Sequence, residues 1–109
     1  MANLAQWIEE AAGDEDIEAI VFGGMGWDDY RSVKIPKYKE CPKNAVLTWA
    51  FGREFADYDF DAGYGAPGCQ AITAWTKSKV IFVSQYDGAT GIETVPRNPI
   101  DHEPTMPGG

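Results

Sequence analysis

The sequence predicts an α+β fold, an N-terminal amphipathic helix packed on an antiparallel β-sheet of four to five strands, and three observations point to it. Apolar residues recur at helical spacing near the start of the chain. From residue 45 onward the apolar pattern is that of strands, and turn residues interrupt that region at short intervals. The 109 residues, 44% of them hydrophobic and 13% aromatic, can bury one core but not two, so 1–109 is read as a single domain.

The elements follow in order. In "NLAQWIEEAA" (3–12), Leu4, Trp7, Ile8 and Ala11 fall at i, i+3, i+4 and i+7, with Asn3 placed to cap the helix and Gly13 to end it. "IEAIVF" (17–22) is read as a strand on the β propensity of Ile20, Val21 and Phe22. "GGMGW" and "DDYRS" make a glycine-rich connection, and "KIPKYKECPKN" is a basic loop punctuated by prolines. "AVLTWAF" (45–51) and the alternating "FADYDFD" (55–61) are read as strands. "QAITAWT" and "KVIFVSQYD" then flank a tight turn at Lys77 and Ser78. In "GATGIETVP" a second turn, around Gly88 and Gly91, leads into an edge strand that Pro96 stops. The proline-rich residues 97–109 are expected to form an extended or flexible tail.

Charge divides the chain more sharply than hydropathy does. Residues 1–30 hold eight acids (Glu9, Glu10, Asp14, Glu15, Asp16, Glu18, Asp28 and Asp29) and no Lys or Arg, whereas 31–43 hold five bases and one acid. The net charge of -8 argues against direct binding to nucleic acid or anionic lipid, which are held by Lys and Arg, and favours a basic or small partner. Acidity of this degree also serves solubility alone. No apolar run reaches membrane-spanning length and the start lacks a signal-peptide pattern, so the chain is expected in the cytoplasm, with Cys41 and Cys69 reduced.

Asp57, Asp59 and Asp61 are the most regular acidic feature. On a strand they would form a row about 6.6 Å apart on one face, with Ala56, Tyr58 and Phe60 on the other. The simplest reading is acids to water and aromatics to the core. A functional reading is that fixed carboxylates at this spacing imitate the phosphates of a nucleic-acid strand and fill a Lys/Arg groove. A calcium loop is rejected because Ala62 and Gly68 stand where the EF-hand pattern needs glycine and glutamate.

Catalysis has little support in the residues. His102, the only histidine, lies in the tail, and Cys69 has no basic helper in its segment. "GGMGW" lacks the lysine and serine of a phosphate-binding loop, and Asp28 and Asp29 would repel phosphate. No enzyme activity, cofactor or metal is therefore expected. Trp27, Tyr30, Tyr64 and Tyr86 fall in or beside glycine-containing turns, where they would either complete a small core or line a ligand pocket.

The segments "GAPGCQAITAWT", "VIFVSQYDGAT" and "VPRNP" resemble small acidic proteins of bacteriophages and prophages, in which "DFDAGYG" precedes an "AWT" strand and a "QYDG" turn. The resemblance covers residues 55–109 and extends to "MGWDDY" upstream. It implies a viral origin and, by class, a likeness to anti-CRISPR proteins, which block host defence by binding. The expected function is then non-enzymatic inhibition of a bacterial nucleic-acid-handling complex through its basic DNA site, in the host cytoplasm. The acidic surface would comprise Asp57, Asp59, Asp61, Glu9, Glu10, Asp14, Glu15, Asp16, Asp28 and Asp29, with Trp27 and Tyr64 as apolar anchors. Two alternatives stand beside it: a ligand-sequestering protein with the aromatic pocket, and a structural phage component that self-associates through the edge strand near Ile92 to Val95.

Overall fold

Asn3 stands at the first turn of the fold, and its side chain accepts a hydrogen bond from Gln6 N–H at 3.0 Å. The helix it caps, α1 (Leu4–Ala12), follows the two-residue strand β1 (Ala2–Asn3) and ends at Gly13, whose φ of 69° is left-handed. The computed structural model describes residues 1–24, 34–63, 65 and 68–106. Next come β2 (Ile17–Phe22), β3 (Leu47–Thr48), α2 (Trp49–Ala56) and β4 (Asp59–Phe60). The strands β5 (Ile72–Thr76), β6 (Lys79–Tyr86) and β7 (Ala89–Pro96) complete the order. The fold is α+β: a five-stranded antiparallel sheet ordered β3-β2-β5-β6-β7, a two-stranded pair β1-β4, and two helices. The Cα radius of gyration, 13.6 Å, is close to the roughly 13 Å of a compact chain of this length.

Both helices pack on one face of the large sheet. Leu4, Ile8 and Ala12 of α1 and Phe55 and Ala56 of α2 join Ile20, Phe22, Ile72, Ala74 and Ile81 in one buried cluster. The turn between β5 and β6 at Lys77 and Ser78 forms as expected, since Trp75 pairs with Val80. The next turn is Asp87-Gly88, with φ values of 50° and 84° as a type I′ hairpin requires. Gly91, expected in that turn, instead lies inside β7 opposite Ser84. β7 is an edge strand ending at Pro96, and residues 97–106 continue exposed and without helix or strand.

Two strand expectations are corrected. Residues 45–51 supply only the short β3, because the Thr48 hydroxyl caps a helix by accepting from Phe51 N–H at 3.2 Å. Residues 55–61 are not one strand either. Phe55 and Ala56 close α2, Asp57 is its C-cap, and only Asp59 and Phe60 pair with β1. The alternation survives as exposure, with Asp57, Asp59 and Asp61 outside and Ala56, Tyr58 and Phe60 inside.

Gly52 explains how α2 sits so close to β2. A Cβ added there would lie 2.6 Å from Ile20 Cγ2, and Ile20 is fully buried. Gly52→Ala is therefore expected to destabilise the protein by about 1–3 kcal/mol in urea titration, the overpacking cost outweighing the roughly 1 kcal/mol by which alanine favours a helix.

Candidate acidic binding surface

The acids expected to form one surface divide into two groups. The first is a tied network. Asn3 Nδ2 donates to Asp57 Oδ1 and to Asp59 Oδ1, each at 3.1 Å, so one side chain caps α1 and fastens the chain that leaves α2. Arg53 donates from Nε and Nη2 to the two carboxylate oxygens of Glu9, at 3.0 and 3.1 Å, and lies 3.7 Å from Asp57 Oδ2. The Glu9 bond raises the guanidinium's already high pKa, so Arg53 carries a fixed positive charge among these acids. Asp61 turns back to accept from Gly63 N–H at 2.9 Å, an Asx-turn bond.

The second group surrounds the C-terminal end of α1. Glu10, Asp14 and Asp16 are exposed, and among the described residues no base lies within ion-pair distance of them. Glu15, between them in sequence, faces the other way. Its carboxylate accepts from Thr76 Oγ1 at 2.6 Å and from Ser78 Oγ at 2.7 and 2.9 Å. Lys79 Nζ reaches the last carbonyls of α1, Ala11 at 3.3 Å and Ala12 at 3.2 Å, where the helix dipole favours a cation. Glu15 and Lys79 thus clamp the helix end to the β5–β6 hairpin, so Glu15 is a structural anchor whatever else it meets.

Those bonds, the one from Thr76 first, hold the Glu15 carboxyl below its ordinary range. A carboxyl lowered in the folded state stabilises the fold above its unfolded pKa of about 4.3 and loses that contribution as pH falls through the folded value. Glu15→Gln is expected to melt below wild type at neutral pH, and the difference to narrow in acid. Melting curves of the two proteins from pH 7 to about pH 3 check this.

Between the ends of α1 and α2 lies a cleft of about 410 Å³, lined by Glu9, Gly13, Glu15, Asp16, Ile17 and the half-buried Trp49 among others. Of its three carboxylates Glu9 is tied to Arg53 and Glu15 to Thr76 and Ser78, which leaves Asp16 beside the Trp49 indole to meet a cation such as a guanidinium. The sequence reading missed both Trp49 and Arg53: Trp49 belongs to a segment read as a strand, the Glu9 partner of Arg53 is distant in the chain, and its contact with Asp57, four residues on, requires the helix that was not foreseen.

The described bases mostly engage their own neighbourhood. Lys37 pairs with Glu54 at 2.8 Å, and the Glu54 bond raises the lysine's pKa. Lys43 donates to the carbonyls of Tyr38 and Cys41 and lies 3.9 Å from the centre of the Tyr38 ring. Arg97, from the tail, pairs with Glu18 at 2.6 Å. The acidic N-terminal segment is therefore offset by Arg53 and Arg97, while Lys37 and Lys43 of the basic loop turn to α2 and to the loop itself.

Trp27, Asp28, Asp29, Tyr30 and Tyr64 lie outside the described residues, and with them most of the expected aromatic pocket. Tyr86 is 72% exposed, next to the β6–β7 turn. Cys41 and Cys69 are free, buried thiols, and burial pushes the pKa of Cys69 up to about 11, away from nucleophile chemistry at neutral pH. No helix among the described residues is long and apolar enough to cross a membrane. No protein-family model, curated protein or solved structure matches the chain.

Proposed function

We propose that the chain is a non-enzymatic binding protein, of the kind phages use against host defence. It would inhibit a bacterial nucleic-acid-handling complex by placing an acidic surface on a Lys/Arg site meant for DNA. The observation that carries this reading is the placement of Glu10, Asp14 and Asp16, exposed and without a base among the described residues, beside the cleft that holds Trp49. Carboxylates with no internal partner give up little when they meet an external Lys or Arg, and the ions they displace add a favourable entropy. Asp57 and Asp59 supply a second patch that Asn3 holds in place; among the described residues Asp59 keeps its charge uncompensated there, while Arg53 lies 3.7 Å from Asp57. Asp28, Asp29, Trp27 and Tyr64 belong to this proposed surface on sequence grounds alone.

A second reading, sequestration of a small organic cation, is favoured by the volume and lining of the same cleft. One experiment separates the two. Immobilised protein is exposed to bacterial lysate at low salt, eluted by a salt gradient and challenged with duplex DNA. Capture of a nucleic-acid-binding complex that duplex DNA displaces supports the inhibitor. Absence of any such complex counts against it, and a cation that raises the melting temperature then supports the second reading.

A further inference from the structure

We propose that the face of the five-stranded sheet opposite the helices, on which no described helix lies, is a self-association surface where a second copy of this chain packs face to face. Ile20, Phe22, Ile72, Ala74 and Ile81 point to the helices, so their neighbours along each strand point the other way. The ladder register then places Ala19, Trp75, Val80 and Val95 in one line across four strands, and Val21, Thr73, Phe82 and Glu93 in the next. None of these eight belongs to the core cluster or to the apolar residues packed against it, and no described helix lies on them. Seven of the eight are half-buried, and Val95, at the edge, is 39% exposed. An antiparallel sheet that meets water on one face ordinarily carries polar residues there, and an apolar line across four of its five strands marks an interface instead.

Charge identifies the occupant. Of the eight residues only Glu93 is charged, and Ser84 Oγ lies 3.1 Å from its carboxylate. The chain carries a net -8, and among the described residues its acid clusters lie on the helices, the loops that follow them and β4, while Glu18 of β2 is paired with Arg97. Two copies meet with the least like-charge repulsion when their nearly neutral sheet faces approach. The β7 edge is a poorer route than the sequence suggests. Ala62 carbonyl already accepts from Thr90 N–H at 3.0 Å near one end, and Pro96 has no N–H at the other. Four strands at about 4.8 Å spacing make a face roughly 20 Å across, so a symmetric pair hides on the order of 1,000 Å². That is the lower end of specific interfaces, and it implies a dimer that dissociates on dilution.

Sedimentation velocity over a concentration series, with the isolated full chain, tests the proposal independently of any host partner. Wild type is expected to move from monomer to dimer as concentration rises. Val95→Glu, at the exposed rim where the fold tolerates it, is expected to weaken the dimer on the order of a hundredfold, because a symmetric contact meets each change twice. Trp75→Glu is expected to abolish it, with the circular dichroism spectrum of each variant confirming the fold. Should Trp75→Glu fail to fold, Val95→Glu decides alone. A wild type that stays monomeric at every concentration, or a dimer indifferent to Val95→Glu, overturns the proposal.

Discussion

Phe22→Ala is expected to destabilise the protein by about 3–5 kcal/mol, a large part of the total stability of a domain this size. Phe22 is fully buried at the end of β2 and meets Phe55 of α2 edge to face, with ring centres 6.3 Å apart at 83°. The gap left by the ring is bordered by α2, which Gly52 already brings against Ile20, and by a backbone whose carbonyl accepts from Asn44 N–H at 2.8 Å. Neither wall can collapse freely, so the cavity cost adds to the lost transfer energy. Urea titration should show the midpoint falling with little change in slope. A loss below about 1 kcal/mol would mean that α2 is not held on the sheet as described.

The elements the sequence made legible are those whose signals are local. In α1 the apolar spacing, Asn3 and Gly13 agree, and each acts within one or two turns of itself. The hairpin at Lys77-Ser78 is likewise decided by a few adjacent residues, and so is the next at Asp87-Gly88, of which the sequence reading had Gly88 but wrongly added Gly91. The segment after Val46 was not legible, because Trp49 and Phe51 favour strands while the facts that decide for a helix are tertiary. Thr48 caps it, and Gly52 is the one residue that lets it close on Ile20. Alternation at 56–61 told correctly which side chains face water, yet it carried no trace of Asn3, which arrives from 56 residues away to hold Asp59, or of Arg53, which the unforeseen helix brings within 3.7 Å of Asp57. Nor could it show that Glu15 is tied to Thr76 and Ser78 while Asp14 and Asp16 have no such bonds among the described residues.

The second large effect concerns binding. Exposed ion pairs contribute roughly 0.2–1 kcal/mol each, so neutralising Glu10, Asp14 and Asp16 together with Gln, Asn and Asn should weaken binding of a basic partner by about 0.6–3 kcal/mol, from about threefold to on the order of a hundredfold. Fold stability should hardly move, since these three side chains have no ion-pair partner among the described residues to lose. Asp57→Asn with Asp59→Asn differs in kind. It disturbs the bonds from Asn3, so its loss of affinity comes with a loss of stability.

The most direct test of an acidic surface that takes the place of DNA is the affinity of the captured host complex for wild type and for Glu10→Gln/Asp14→Asn/Asp16→Asn over a range of salt concentrations. Wild-type affinity should fall steeply as salt rises, and the triple variant should bind more weakly with a shallower slope. Equal affinity and equal slope in the two proteins, both folded, would contradict the account.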